Sequence, residues 1–327
     1  MKLFLLKLSL FIGIITAGLL VLYRVLDRDE KTIGDFRYVK ARNVYKRQGQ
    51  YNTLLIGSSR VMNIGDTLIG QHRIYNFGLL GGMPGEYADY IAWSLAHQPV
   101  RTVIAGQDFY GSSKNGLKGI NDLGVVIRTP QQYTTDILAE TPWSNFFTIY
   151  EFPRFKRLVN AQLFDQKLVA KAPDADGWIR KQWGIYENAY AHYEADPELA
   201  KKYEAIKTAS GSAELKVFVT PVTRPLYELM LDNKLQIQYE NFLRLLVQTY
   251  GTVYNFLELN DFTSDPKNFI DENHLSTPRL FDLVQFMAGE GQNPDLRFTK
   301  LDASNIDDYI DNQRYLKIQD SKFKIQH

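Results

Sequence analysis

Cysteine is absent from this sequence of 327 residues. Its absence excludes disulfide bonds, a thiol nucleophile and zinc sites built on cysteine. Histidine is also scarce, with five residues in the whole chain. Because histidine is the most common general base at neutral pH, only a few positions can serve such a role.

The sequence has almost no net charge, because 38 lysine and arginine residues balance 37 aspartate and glutamate residues to a formal charge of +1. A domain that binds the phosphate backbone of a nucleic acid usually carries a basic excess. The composition therefore gives no electrostatic reason to expect a nucleic acid partner.

The first 26 residues are predicted to form a transmembrane anchor. No charged residue occurs from Leu8 to Tyr23, and about 20 apolar residues suffice to cross the hydrocarbon core of a bilayer. A cleaved signal peptide and a buried core helix are the alternatives, but no clear small-residue cleavage site follows the apolar run. The basic residues on the two sides nearly balance, so they do not decide the orientation. We expect a short cytoplasmic amino end in the inner membrane, a polar connector at residues 27–50, and a domain on the periplasmic or extracellular side.

Five short apolar runs predict the strands of an α/β domain over residues 51–294. Helical periodicity lies between them, most clearly at residues 84–98, 233–250 and 276–286. Alternation of this kind favours a parallel five-stranded sheet with helices on both faces, a three-layer α/β/α sandwich. The predicted strands are residues 52–56, 73–77, 101–105, 215–219 and 252–256.

Two stretches fall outside this alternation. Residues 111–210 separate the third and fourth strands and are far longer than a single crossover needs. Such a helical insertion forms a cap, a lid or a partner-binding surface, or consists of extra helices that only pack. Residues 295–327 are a polar C-terminal tail with no predicted role.

One stretch presents a hydroxyl group at the end of a predicted strand. Gly57-Ser58-Ser59-Arg60 follows the apolar run at residues 51–56, and glycine permits a sharp turn there. Open α/β folds bind ligands at the carboxyl ends of their strands. Ser59 is therefore the candidate nucleophile, although a serine after glycine at a strand end is also a common turn residue.

Asp271 and His274 are the candidate partners of Ser59. Their spacing lets one loop carry both a base and the carboxylate that orients it. His274 would accept the proton of Ser59, while Asp271 would hold the imidazole tautomer and stabilise its cation. The simpler interpretation is that His274 caps the helix that begins near Ser276.

Three groups are candidates for stabilising the oxyanion of a tetrahedral intermediate. They are the backbone N–H groups of Ser59 and Gly78 and the side chain of Gln107, all of which follow predicted strands. Candidate substrate contacts lie at the same edge, although the two arginines among them are equally consistent with surface residues: Arg60, Asp108 and Arg224.

These motifs together resemble the SGNH (GDSL-type) hydrolase superfamily over about residues 50–290. Gly57-Ser58-Ser59 is similar to its Gly-Asp-Ser nucleophile motif, with Ser58 in place of aspartate. Gly78 is similar to the glycine of its second block, and Asp271 with His274 to its closing Asp-x-x-His. Gln107-Asp108 stands near the position of the family's Asn-Asp. The resemblance implies a sandwich of the SGNH or flavodoxin-like type.

The combination of Gly-Ser-Ser with an N-terminal anchor looks more like the membrane-attached branch that acylates cell envelopes. That branch includes D-alanyl transfer proteins of teichoic acid synthesis and acetylation proteins of alginate systems. The resemblance implies a serine esterase or O-acyltransferase that modifies a cell-envelope polysaccharide through a Ser59 acyl-enzyme. It also implies a multispanning membrane O-acyltransferase as partner, and we expect no cofactor and no metal.

Two hypotheses from other functional classes remain open. The same fold can be catalytically silent and serve to bind a glycan or to recruit a membrane acyltransferase. A polysaccharide or lipid-carrier binding protein without acyl chemistry is the second alternative.

Overall fold

The computed structural model describes residues 36–116, 175–291 and 295–314, together with isolated helical positions between residues 4 and 18. The chain divides into two compact units, residues 1–43 with 127–175 and residues 44–126 with 176–327. Of the first unit, the described part is chiefly the start of one helix, at residues 36–43. The second unit contains the sheet and all the candidate site residues.

Several predictions concern residues beyond these ranges. The anchor at residues 1–26 and the start of the connector lie largely outside the described residues, as do residues 117–174 of the insertion and 315–327 of the tail. In the part of the chain that the structure describes, no helix is both long enough and apolar enough to cross a membrane.

Strands and helices alternate along most of the described chain. Single turns of 3₁₀-helix at residues 59–61, 109–112 and 266–268 join some of them. The named elements are α1 Phe36–Lys46, β1 Thr53–Gly57, β2 Thr67–Ile69, β3 His72–Gly78, α2 Pro84–His97, β4 Thr102–Gln107, α3 Ala175–Ala191, α4 Leu199–Ser210, β5 Glu214–Val219, α5 Arg224–Asp232, α6 Gln236–Tyr250, β6 Thr252–Asn255, α7 Asp261–Ser264, α8 Thr277–Ala288 and β7 Thr299–Asp302.

The sheet has seven strands in the order β2-β3-β1-β4-β5-β6-β7. The five predicted strands are confirmed as its parallel centre, from β3 to β6. The prediction of a purely parallel, five-stranded sheet is wrong, because β2 and β7 pair antiparallel at the two edges. Both edge strands are short and partly exposed, so neither produces the continuous apolar run that marks a buried parallel strand.

Helices contact both faces of the sheet. On one face, Leu280 and Leu283 of α8 join a buried cluster with Leu55, Ile104 and Phe218 from the central strands. On the other face, Tyr90 of α2 packs against Phe77 of β3, with ring centroids 4.8 Å apart. The two faces use alternate residues of each strand, as the two-residue period of a β-strand requires.

The carboxyl ends of the central strands are level with one another. Gly57 is paired with Gly78 across β1 and β3, and Gln107 with Val219 across β4 and β5. Strand order reverses at β1, because the chain passes from β1 to β3 on one side and then to β4 on the other. Ser59 therefore lies at a topological switch point, where open α/β sheets bind ligands.

Part of the predicted polar tail belongs to the sheet. Residues 299–302 form β7, and Leu301 is fully buried opposite Val253 of β6. Residues 306–314 are helical, with Ile306 and Ile310 buried. The boundary predicted at residue 294 therefore separates segments that form one sheet.

Candidate functional site

A tight turn after β1 places the Ser59 hydroxyl at the carboxyl edge of the sheet. The 3₁₀ turn begins at Ser59, and the side chain of Ser58 caps it by accepting a hydrogen bond from the Arg60 N–H at 3.2 Å. A Cβ atom at Gly57 would lie 3.0 Å from Val61 Cγ2, so a side chain there would require Val61 to shift. Ser58 and Arg60 are buried while Ser59 is partly exposed. Of the two adjacent serines, Ser59 presents the accessible hydroxyl.

The predicted partners of Ser59 meet it directly. Oγ of Ser59 is 2.9 Å from Nε2 of His274. Nδ1 of His274 is 2.9 and 2.8 Å from the two carboxylate oxygens of Asp271. These distances are within hydrogen-bond reach, and they place nucleophile, base and orienting carboxylate in the order that nucleophilic catalysis requires.

Backbone hydrogen bonds hold the loop that carries Asp271 and His274. The N–H of Ile270 donates to the His274 carbonyl at 2.8 Å, which closes the loop on itself. Thr223, which directly precedes α5, donates to the Glu272 carbonyl from both its N–H and its hydroxyl, each at 3.0 Å. The loop is therefore fixed to the segment that follows β5.

The electrostatics of the loop favour an ionised Asp271. Burial acts to raise the pKa of Asp271, but His274 and the hydrogen bonds from His274 and the Asn273 N–H outweigh it and hold the pKa below its usual range. An ionised carboxylate accepts a hydrogen bond from the Nδ1–H of the imidazole. This hydrogen bond favours the tautomer whose Nε2 lone pair faces Ser59.

The predicted oxyanion donors do not all remain available. The N–H of Gly78 donates to the Asn76 side-chain oxygen at 2.7 Å, so the prediction that it serves an oxyanion is wrong for this conformation. The N–H of Ser59 is not paired with another described residue. Gln107 is fully buried, and neither of its amide atoms has a hydrogen-bond partner among the described residues. The N–H of Ser59 and the buried amide of Gln107 are thus the two predicted donors that are not paired within the described residues.

Gly78→Ala should destabilise the fold by about 1–3 kcal/mol, the usual cost of overpacking. The added Cβ would lie 2.7 Å from Met62 Cγ and 3.0 Å from the Asn76 side-chain oxygen that accepts from Gly78. Urea unfolding measures the change. Gly65→Ala is the matched control, since nothing lies within 4 Å of a Cβ at that position. Equal midpoints for the two variants would contradict the prediction.

Arg60 and Asp108 were predicted to contact substrate. They instead form a buried ion pair with each other. Nη1 of Arg60 is 3.4 Å from Oδ1 of Asp108 and donates to the hydroxyl of Thr220 at 3.0 Å. Both charged side chains are at most 3 % exposed. Because the two opposite charges are paired with each other in the protein interior, the prediction that Arg60 and Asp108 contact substrate is wrong.

Arg224 lies at the surface at the start of α5. Its Nε is 2.8 Å from Glu228 Oε1, and about half of its side chain is exposed. The assignment of Arg224 as a substrate contact stays a prediction.

A cavity of about 10 Å³ lies beside Arg60 and Asn273. Such a volume corresponds to about one water molecule. It is too small for an acyl group. Within the described ranges, no cluster of three histidine, aspartate or glutamate side chains is suited to hold a metal ion.

Sequence reasoning missed three residues of the site. Asn273 lies inside the Asp-x-x-His motif, and Thr220 directly follows the fourth predicted strand, so position alone could have indicated both. Tyr186 lies in the insertion, where no motif marks it. It accepts hydrogen bonds from Arg60 and Asn273.

Searches against protein-family models and curated protein sequences find no match to this chain.

Proposed function

We propose that this chain is a serine esterase or O-acyltransferase of the SGNH type that acts on a cell-envelope polysaccharide. The observation that carries the proposal is the continuous chain of hydrogen bonds from Asp271 through His274 to Ser59. A three-layer α/β/α sandwich of the SGNH type agrees with helices on both faces of the sheet and with the position of Ser59 at its switch point.

The proposed reaction passes through an acyl-enzyme. Oγ of Ser59 attacks the carbonyl carbon of an ester, and its proton moves to Nε2 of His274. The N–H of Ser59 and the Gln107 side chain would donate to the resulting oxyanion. Collapse of the tetrahedral intermediate breaks the bond to the leaving alcohol, which takes the proton from His274. Water or a glycan hydroxyl then attacks the acyl group with the same proton transfers in reverse.

The cellular setting of the proposal rests on the sequence. It includes the anchor at residues 1–26, a domain on the periplasmic or extracellular side of the inner membrane, and a multispanning membrane O-acyltransferase as partner.

A second candidate is a catalytically silent module of the same fold that binds a glycan or recruits the acyltransferase. One observation favours it: the Gly78 N–H is already engaged by the Asn76 side chain. Loss of one oxyanion donor typically costs about 10²–10³ in rate. The two candidates therefore differ in whether Ser59 is reactive.

Labelling with a fluorophosphonate tests the proposal. We expect one adduct per chain, found by intact mass and located at Ser59 by peptide mapping, because an activated serine reacts where ordinary serines do not. Ser264→Ala, which changes an exposed serine, is the control and should retain the adduct, whereas Ser59→Ala should lose it. A folded wild-type protein that is not labelled would overturn the enzyme proposal in favour of the silent module.

A further inference from the structure

The hydroxyl of Tyr186 lies between the two chain segments that carry the candidate triad. Tyr186 belongs to helix α3, and its side chain is only 2 % exposed. Its oxygen accepts hydrogen bonds from Nη2 of Arg60 at 3.4 Å and from Nδ2 of Asn273. Arg60 directly follows Ser59, and Asn273 directly precedes His274. One side chain of the insertion thus contacts a neighbour of the nucleophile and a neighbour of the base.

The Arg60 side of this contact is held by several groups. Its guanidinium carbon lies 5.0 Å from the ring centroid of Tyr110 and 5.7 Å from that of Tyr186, within the range of cation–π attraction. Its Nη1 faces Asp108 and donates to Thr220. Asp108 and Thr220 directly follow β4 and β5, so these contacts hold the guanidinium against the sheet. The Tyr186 hydroxyl therefore bonds to a group whose position is fixed.

The Asn273 side of the contact leads directly to the base. The N–H of Asn273 donates to Oδ1 of Asp271 at 3.0 Å, and the N–H of His274 donates to the same oxygen at 2.9 Å. The Asn273 side chain is buried, with 2 % exposure. A displacement of Asn273 would therefore disturb both the carboxylate and the imidazole that it orients.

We propose that Tyr186 is a positioning residue that keeps the loop of Asp271 and His274 in register with Ser59. The effect of Tyr186 on the reaction rate rests on the proposed function, whereas its hydrogen bonds do not. Ser59 and His274 are 215 residues apart in the chain, so packing between separate segments sets the distance from Oγ to Nε2. A misplacement of about 1 Å between reacting groups can lower a rate by about 10²-fold. The insertion then supplies part of the frame of the site.

Tyr186→Phe tests the proposal because it removes the hydroxyl and keeps the buried ring. We expect the maximal rate of Ser59 labelling at saturating fluorophosphonate to fall by about 10- to 100-fold. The half-saturating probe concentration should change little, because the exposed surface remains. The melting temperature should fall, because the buried donors of Arg60 and Asn273 lose their shared acceptor. Tyr203→Phe is the matched control: Tyr203 is fully buried on α4, and its hydroxyl has no hydrogen-bond partner among the described residues. The control should label at the wild-type rate.

A double variant separates positioning from a general loss of stability. Combining Tyr186→Phe with Asn273→Ala should slow labelling no more than the slower single variant, since both changes remove the same hydrogen bond. Additive losses would instead mean that the two residues act independently, which would contradict the proposal.

Amide hydrogen exchange tests the contact without any chemistry. In Tyr186→Phe, the Asn273 and His274 amides should exchange faster than in the wild type, because the loop has lost an anchor. If the wild type is not labelled but exchange still rises in this variant, the proposed function fails and the positioning role is supported. Unchanged exchange, or equal slowing of labelling in Tyr203→Phe, would overturn the positioning role.

Discussion

His274→Ala should slow the acylation of Ser59 by a fluorophosphonate by about 10⁶-fold, because a triad acts as a unit and fails when its base is lost. Asp271→Asn should slow it by about 10⁴-fold, since an amide cannot hold the imidazole in the required tautomer. Both expectations follow from the geometry: Asp271 accepts from Nδ1 at 2.8 Å, and Nε2 faces the Ser59 hydroxyl at 2.9 Å. Stopped-flow or timed labelling followed by intact mass measures the rates.

In a triad, the labelling rate should fall more in His274→Ala than in Asp271→Asn. This order distinguishes a triad from a simple contact. His192→Ala is the matched control, because His192 is exposed and its Nδ1 lies 2.9 Å from the Asn188 carbonyl oxygen. That variant should label as fast as the wild type. Circular dichroism melting confirms that each protein is folded. Labelling of folded His274→Ala at a rate near that of the wild type would show that His274 is not the base.

Asp108→Ala should lower the free energy of unfolding by about 3–5 kcal/mol, the cost of breaking a buried ion pair on one side. Burial lowers the pKa of Arg60, but the Asp108 carboxylate and the nearby tyrosines outweigh it, so the pKa lies above its usual value. The guanidinium stays charged even when Asp108 is removed, because an arginine side chain does not lose its proton in proteins. It would then be buried without its counterion, and its remaining hydrogen bonds to the neutral hydroxyls of Thr220 and Tyr186 would not replace that charge.

Urea unfolding measures this second effect against a surface pair. Glu228→Ala removes the carboxylate from Arg224 in an exposed pair, and we expect a change of about 0.5 kcal/mol or less. Replacing both members of the buried pair, in Arg60→Met with Asp108→Leu, should recover much of the stability lost in Asp108→Ala, because no charge is left unpaired. An Asp108→Ala protein with a wild-type midpoint would contradict the prediction.

The central strands could be predicted because buried parallel strands contain short runs of apolar residues. All five residues of β1 are buried, and Leu54, Leu55 and Ile56 form such a run in the sequence. Three predicted helices appear as α2, α6 and α8, with α2 and α8 opening on proline in their first turn. The edge strands were not predicted. In β7, Leu301 is the one fully buried residue, and a single apolar position does not make a pattern.

The meeting of Ser59 with His274 and Asp271 could also be predicted from topology. Chain segments that follow the carboxyl ends of parallel strands converge on one edge of the sheet, and these three residues lie in such segments. The roles of Gly78 and Arg60 could not be predicted, because they depend on side-chain direction. The side-chain oxygen of Asn76 accepts the hydrogen bond of the Gly78 N–H, while its amide nitrogen donates to the carbonyls of Val61 and Ile64. The Arg60 side chain points into the protein because it pairs there with Asp108 and donates a hydrogen bond to Thr220.

The antiparallel pairing of β7 with β6 has a consequence for any shortened form of this protein. All four residues of β6 are matched by residues 299–302. Removal of the chain after residue 294 would leave β6 as an open border of the sheet, with unpaired N–H and C=O groups along a strand that contains the buried Val253. An unpaired edge strand of this kind can pair with a strand of another molecule. A fragment cut at that point would be prone to self-association, even though Ser59, Asp271 and His274 would all be retained.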